Sequence, residues 1–218
     1  CNKYLFRCPR YYPQRKTNIT KSLEKQKKGI KFTQILIMPN LFNLYKLIKE
    51  NEVSAYTIYL DMDGVIADFD QRFVDLSGMT PDEYKNTYGM SKFWDFIDEE
   101  NKVRFWAGIP LMPGAKKLVD YVSQYDYEIL TAPSIKKQSR LGKMIWLRKI
   151  HSDLFPNTPK VNFKPAKQKH QIKSNLTKTD ILIDDKVSTI DTWNSSGGTG
   201  ILYTSADDAI QQLKQLGL

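Results

Sequence analysis

Residues 57–69, TIYLDMDGVIADF, decide the fold of this chain. A short apolar run leads into two carboxylates, Asp61 and Asp63, and then into Gly64. Carboxylates two positions apart at a strand end project to the same side, and such close like charges require a cation or a shared proton. Gly64 allows a sharp turn that brings backbone N–H groups near an anion. The stretch predicts a strand that ends either in a phosphoryl-transfer site or in an ordinary acidic turn.

Alternating strands and helices surround this stretch. Strands are predicted at 57–61, 127–131, 160–163, 180–184 and 200–203, and helices at 114–124, 136–150, 187–194 and 205–215. This alternation predicts an α/β fold with a five-stranded parallel sheet and helices on both faces. In such sheets ligands bind at the carboxyl ends of the strands.

Residues 69–112 interrupt the alternation with about 44 residues rich in aromatic side chains. The aromatic residues are Tyr84, Tyr88, Phe93, Trp94, Phe96, Phe105 and Trp106. The segment is too long for a simple crossover, and we expect a helical insert that folds over the strand ends as a cap. Trp94 and Trp106 fit a role in the cap core as well as a role in binding.

Polar residues also stand at the ends of two other predicted strands. Thr131 ends the second strand, and Asp184 and Asp185 end the fourth. By themselves these two aspartates could cap the helix that follows. Together with Asp61 they predict a Mg²⁺ site, since Mg²⁺ prefers oxygen ligands.

Lysines lie between these strand ends. Lys143 is on the helix after the second strand, and Lys167 and Lys169 follow the third. Any one of them is more readily explained as a surface residue. A phosphoryl-transfer site nevertheless needs an ammonium group to offset the charge on the phosphate.

Composition excludes several classes of protein and site. The two cysteines, Cys1 and Cys8, are both near the N-terminus, and the two histidines, His151 and His170, are far apart. A disulfide scaffold and a Cys- or His-ligated metal centre in the body are therefore excluded. No apolar run approaches the roughly 18–20 residues that span a bilayer, so an integral membrane protein is not expected.

The net charge of +9 comes from the N-terminal residues. Residues 1–52 contain 12 Lys/Arg and 3 Asp/Glu, whereas residues 53–218 contain 21 of each sign. We expect a basic extension at 1–52, partly disordered and with a short helix at 40–50, followed by a domain at 53–218. Three interpretations of the extension stay open: a solvated tail or upstream coding remnant, a nucleic-acid or acidic-surface contact through residues 1–34, and an organelle-targeting leader.

Four motifs together resemble the haloacid dehalogenase (HAD) superfamily of phosphatases. They are residues 58–69 (IYLDMDGVIADF), 110–115 (PLMPGA), 130–134 (LTAPS) and 182–185 (LIDD), in the family's order. Within the superfamily the chain is similar to the 5′(3′)-deoxyribonucleotidase family and its phage-type relatives, over about residues 56–216. The resemblance implies a Rossmann-like HAD fold with a small helical cap.

The resemblance also implies catalytic and metal-binding roles. Asp61 would be the nucleophile, and Asp63 the general acid/base, with its backbone carbonyl toward the Mg²⁺. Thr131 would bind a phosphate oxygen, and Lys143 stands where the family places a catalytic lysine. The implied metal ligands are Asp61, Asp63, Asp184 and Asp185.

Substrate-binding roles follow from the same resemblance. The implied residues are Gly64, Phe105, Trp106, Ala132, Ser134 and Lys167, of which Phe105 and Trp106 match an aromatic stretch that stacks on a nucleobase. Ala132 stands where the family has a second hydroxyl, which Ser134 could replace. Lys169 stays open as the alternative to Lys167.

The implied activity is Mg²⁺-dependent dephosphorylation of (deoxy)nucleoside monophosphates through an aspartyl-phosphate. Two alternatives stay open: a HAD phosphatase for another small phosphate ester, and a nucleic-acid-associated module that uses the basic extension. We expect a small-molecule partner and no membrane contact, and the chain is compatible with a homodimer. A cytoplasmic location is expected, with organelle targeting as the alternative.

Overall fold

One parallel sheet organises the part of the chain that the computed structural model describes, residues 56–218. The extension 1–52, with its predicted helix at 40–50 and its predicted contact region at 1–34, lies outside the described residues. The strands are β1 (Thr57–Leu60), β2 (Asp126–Thr131), β3 (Lys160–Phe163), β4 (Asp180–Asp184) and β5 (Thr199–Leu202). Their order in the sheet is β3-β2-β1-β4-β5, and all pairs are parallel. The predicted fold class is confirmed.

The central strand, β1, is buried on both faces of the sheet. Ile58 and Leu60 belong to the larger apolar core, whereas Tyr59 belongs to a second core on the opposite face. This alternation follows from the two-residue repeat of a strand. Trp193 completes the second core, where its ring packs edge-on against Tyr59 at 5.3 Å between centroids. Both faces are thus covered, as a parallel sheet requires.

Seven α-helices are described over residues 56–218. They are α1 (Phe69–Ser77), α2 (Pro81–Asp95), α3 (Lys102–Ala107), α4 (Ala115–Val122), α5 (Lys137–Ile145), α6 (Val187–Ser195) and α7 (Ala206–Gln215). Two π-helical segments, Phe96–Asn101 and Trp146–Ile150, extend α2 and α5, and 3₁₀ helices form at Ser152–Leu154 and Ala166–Ile172. Within this part of the chain no helix has the length and apolar character needed to cross a membrane.

Local sequence explains where the helices of the insert begin. Thr80 caps α2 by accepting a hydrogen bond from the Glu83 amide, and the Glu83 carboxylate accepts one in return from the Thr80 amide. Pro81 follows at the first helical position, where a missing N–H has no cost. Asp68 caps α1 in the same manner, through the amide of Gln71. These caps fix the insert's first two helices beside the end of β1.

The end of the insert packs on α5 and on the π-helical segment that follows it. The indole Nε1 of Trp146 donates to the Ile109 carbonyl at 2.6 Å. Gly142 on α5 faces α3 so closely that an added Cβ would overlap the Cβ of Trp106 and lie 2.9 Å from the Val103 carbonyl oxygen. The absence of a side chain at Gly142 therefore sets the separation of these two helices.

We predict that Gly142→Ala lowers the free energy of unfolding by about 1–3 kcal/mol, because overpacking against α3 outweighs the gain in helix propensity. Urea denaturation measures the loss. Leu141→Ala, at a neighbouring exposed position of the same helix, serves as the control and should change stability by less than about 0.5 kcal/mol. An equal effect of the two substitutions would contradict the packing argument.

Candidate active site

Three carboxylates meet at the carboxyl ends of two neighbouring strands. Asp61 follows β1, and Asp184 and Asp185 close and follow β4, which pairs directly with β1. One carboxylate oxygen from each of the three lies within 4.8 Å of the others. Residues more than 120 positions apart in the chain are therefore brought together by the register of one strand pair.

A tight turn after β1 shapes the floor of this site. The Met62 carbonyl accepts hydrogen bonds from the amides of Val65, Ile66 and Ala67, and the Gly64 amide donates to the Ala67 carbonyl at 2.9 Å. Gly64 has a φ of +79°, and an added Cβ there would lie 2.5 Å from Asp185 Oδ2. The turn therefore needs glycine both for its backbone conformation and for the approach of Asp185.

Lys169 is the cation of the carboxylate cluster. Its buried ammonium lies 2.7 Å from Asp61 Oδ2 and 2.6 Å from Asp184 Oδ2. Of the two lysines that the sequence left open, Lys169 joins the carboxylate cluster, whereas Lys167 is exposed. Residues 166–172 form a 3₁₀ helix, in which positions three apart share a face. Lys169 therefore lies on the same face as Ala166, which lines the cleft, and Lys167 lies on a different face.

The cluster carries more negative than positive charge. Burial raises the pKa of Asp185 to about 6, and the charge of Asp61 adds to the shift. Burial and the charge of Asp61 also raise the pKa of Asp184. Burial alone would lower the pKa of Lys169, but Asp61 and Asp184 together hold it above its ordinary value. Because three carboxylates surround one ammonium, the cluster has a net negative charge that a further cation would neutralise.

A second buried lysine holds Asp63. The ammonium of Lys143 donates to Asp63 Oδ2 at 2.5 Å, to Thr131 Oγ1 at 2.7 Å and to the Ala132 carbonyl at 2.8 Å. Asp63 Oδ1 is buried and has no hydrogen-bond partner among the described residues. Ala132 thus contributes its backbone carbonyl, which accepts from Lys143. The carboxylate of Asp63 binds Lys143 and is not part of the cluster of Asp61, Asp184 and Asp185.

A cleft of about 1320 Å³ opens between the insert and the strand ends. Its lining includes Asp63, Gly64, Asp185 and Trp106. Phe105 lies elsewhere: it is fully buried and packs on Phe69 at 5.2 Å between ring centroids. The structure therefore brings Trp106 but not Phe105 to the cleft, because adjacent residues of the short helix α3 point in different directions.

Ser134 contacts the insert instead of the carboxylate cluster. Its hydroxyl donates to Asp98 Oδ1 at 3.0 Å, and Trp106 Nε1 donates to the same oxygen at 3.3 Å. Next to this contact, Lys136 pairs with Glu99 at 2.8 Å. Sequence reasoning missed Asp98, and four carboxylates between residues 95 and 100 offered no pattern that distinguished it.

Comparison with known proteins finds similarity only at the level of structure. No family model matches the chain, and no curated protein matches it. A HAD-superfamily hydrolase of subfamily IA from Geobacter sulfurreducens is 12% identical, with a TM-score of 0.47, over 73% of this chain and 97% of its own. A haloacid dehalogenase-like hydrolase from Xanthomonas campestris is 10% identical, with a TM-score of 0.49, over 75% and 92%. The D,D-heptose 1,7-bisphosphate phosphatase from Burkholderia thailandensis is 11% identical, with a TM-score of 0.40, over 72% and 98%.

We predict that Lys169→Met lowers the free energy of unfolding by about 3 kcal/mol, because it leaves Asp61 and Asp184 buried without their cation. The matched substitution Lys167→Met, at the exposed position, should change stability by less than about 0.5 kcal/mol. Chemical denaturation of both variants in chelator-treated buffer provides the measurement. Equal stability losses would show that the ion pairs of Lys169 contribute nothing.

We further predict that Asp185 makes the metal-free protein less stable as the pH rises from about 4 to about 6. The pKa of Asp185 is raised from 3.8 to about 6, so the folded form keeps a proton that the unfolded form releases in this window. With a discount for the solvent that reaches Asp185, the loss is about 1–2 kcal/mol.

Asp185→Asn should remove this contribution, so the variant should gain stability relative to the parent as the pH rises and should be the more stable of the two above pH 6. Thermal unfolding across the pH range compares the variant with the parent. A parallel decline in both would assign the pH dependence to another group.

Proposed function

We propose that this protein is a HAD-type phosphomonoesterase that uses Mg²⁺ to dephosphorylate (deoxy)nucleoside monophosphates. The observation that carries the proposal is the placement of Asp61 and Asp63 on one strand end, each bound by its own buried lysine. Two carboxylates in different environments can take different roles, one as nucleophile and the other as acid and base.

The residues present fit a divalent cation. Asp61, Asp184 and Asp185 offer converging oxygens, and Asp185 Oδ1 is buried without a hydrogen-bond partner among the described residues. Both oxygens of Asp184 already accept hydrogen bonds, from Lys169 and from the Lys186 amide. Both oxygens of Asp61 are engaged as well, by the Met62 amide and by Lys169. Asp185, through Oδ1, is therefore the residue best placed to hold the ion, and Asp61 and Asp184 would add an oxygen that is shared with its present donor. Mg²⁺, when bound, supplies charge neutralisation for the phosphate and the attacking carboxylate.

In the first step, a carboxylate oxygen of Asp61 attacks phosphorus. An O–P bond forms on Asp61, the P–O bond to the leaving group breaks, and Asp63 gives its proton to the leaving oxygen. The amide of Met62 and the ammonium of Lys169 each bind one oxygen of Asp61 and so fix its orientation. Lys143 fixes Asp63 through Oδ2, which leaves Oδ1 to carry the proton.

In the second step, water hydrolyses the aspartyl-phosphate. Asp63 takes a proton from water as its oxygen attacks phosphorus, the bond to Asp61 breaks, and inorganic phosphate leaves. Asp61 returns as a carboxylate and Asp63 as an acid, so the cycle closes without any other reactant. The Thr131 hydroxyl accepts from Lys143 and keeps its own proton, which it would donate to a phosphate oxygen. The three protons of Lys143 are already donated to Asp63, Thr131 and Ala132, so its charge supports the site through these groups.

The size and lining of the cleft support a nucleotide as the substrate. Its volume of about 1320 Å³ far exceeds the volume of a phosphate group. Aromatic side chains form one part of its lining, namely Phe69, Phe93, Trp94 and Trp106. Flat aromatic rings pack well against a nucleobase.

We expect the full chain to release phosphate from dUMP and dTMP with Mg²⁺ and to stop when the metal is chelated. Asp61→Asn should lower kcat/KM by at least about 1,000-fold, because no nucleophile remains. Asp70→Asn, an exposed carboxylate at the rim of the cleft, is the control and should retain most of the activity. Turnover of sugar phosphates but of no nucleotide would keep the chemistry and reject the nucleotidase assignment.

Asp63→Asn should lower kcat/KM by an amount that depends on how strongly the leaving group needs a proton. With dUMP the leaving alkoxide needs a proton, and kcat/KM should fall about 100-fold or more. With p-nitrophenyl phosphate the leaving phenolate needs none, so the loss in kcat/KM should be much smaller. Equal losses with both substrates would show that Asp63 does not protonate the leaving oxygen.

A further inference from the structure

Asp98 is a buried carboxylate in the insert whose role is not explained by the proposed chemistry. It belongs to the π-helical segment Phe96–Asn101 and is only 4% exposed. Trp106 Nε1 and Ser134 Oγ both donate to its Oδ1. No lysine or arginine of residues 56–218 lies within ion-pair distance of it, whereas the neighbouring Glu99 has Lys136.

The second oxygen of Asp98 has no donor within the described part of the chain. That oxygen is not among the fully buried atoms without a partner, so it is open to solvent. The residue lines the cleft, and burial raises its pKa against the opposing effect of its two hydrogen bonds. Asp98 therefore offers an unused acceptor to whatever occupies the cleft.

The position of Asp98 relates it to the phosphoryl-transfer site. The ring centroid of Trp106 lies 5.2 Å from the ammonium of Lys143, and the same indole donates to Asp98 through Nε1. Lys143 in turn binds Asp63. The amine of Lys143 and the indole of Trp106 thus link Asp63 to Asp98. Because Asp63, Trp106 and Asp98 all line the same cleft, a molecule with its phosphate beside Asp63 can extend past Trp106 to Asp98.

We propose that Asp98 determines substrate specificity by accepting a hydrogen bond from an N–H or O–H group on the non-phosphate part of the substrate. The proposal rests on the proposed function and extends it to the leaving group. A nucleobase N–H and a sugar hydroxyl share this chemistry. The nearby aromatic lining, with Trp106 in direct contact with Asp98, favours the planar base as the donor.

Wild-type protein tests the requirement for a donor without any substitution. dUMP carries a base N–H, N3-methyl-dUMP lacks it, and 2′,3′-dideoxyuridine monophosphate keeps it but lacks the sugar hydroxyl. A hydrogen bond to a charged acceptor corresponds to about 10- to 100-fold in kcat/KM. We expect that loss for the methylated substrate; the same loss for the dideoxy substrate alone would assign the sugar hydroxyl as the donor. Equal kcat/KM for all three substrates overturns the proposal.

Asp98→Asn tests the residue itself. The amide can keep the oxygen that accepts from Trp106 and Ser134 but presents an NH₂ in place of the free oxygen. The ratio of kcat/KM between dUMP and N3-methyl-dUMP should then fall toward one. Glu99→Gln makes the same change of group at the adjacent position and should leave the ratio unchanged.

The outcomes separate this proposal from the proposed function. If Asp98 only braces the insert, Asp98→Asn lowers kcat/KM for all substrates equally and the ratio stays, which overturns the specificity role alone. If the wild-type protein hydrolyses no nucleoside monophosphate, the proposed function itself fails, and this assignment fails with it. Should Asp98→Asn not fold, the wild-type comparison of the three substrates still decides.

Discussion

The repulsion between carboxylates at the ends of β1 and β4 is the constraint on which the site depends. The parallel pairing of the two strands brings the carboxylates of Asp61, Asp184 and Asp185 together. The backbone of the sheet provides no positive charge to offset their repulsion. The buried ammonium of Lys169 offsets part of this repulsion, because it contacts the carboxylates of Asp61 and Asp184. A second ammonium, Lys143, is kept apart for Asp63. Segregating the lysines in this manner gives the two aspartates of β1 different surroundings.

The sheet was predictable because its pattern is local. Five short apolar runs separated by helical stretches specify strands, and the predicted β3 and β4 coincide with the observed residues. The clustering of Asp61 with Asp184 and Asp185 also followed, because carboxyl ends of adjacent parallel strands share an edge. The predicted and observed elements differ mainly at their ends. The helix predicted at 136–150, for example, is observed as α5 followed by a π-helical segment.

The site residues that the sequence did not predict lie outside the strands, and their roles depend on the direction in which each side chain points. Lys167 and Lys169 differ only by a fraction of a 3₁₀ turn, and no pattern in the sequence fixes the phase of that turn. Phe105 and Trp106 are adjacent and chemically alike, yet one fills the core of the insert and the other faces the cleft. Asp98 becomes distinctive only through Trp106 and Ser134, two contacts made in space.

The close packing of α3 on α5 at Gly142 joins the insert to the helix that carries Lys143. Trp106 stands on one side of that contact and the ammonium of Lys143 on the other, 5.2 Å from the ring. A bulkier or smaller side chain at position 106 would therefore also displace the amine that binds Asp63. Under the proposed function, changes of substrate range are expected at cleft-lining residues of α2 such as Ser91 and Trp94, which make no hydrogen bond or ion pair with Lys143 or Asp63.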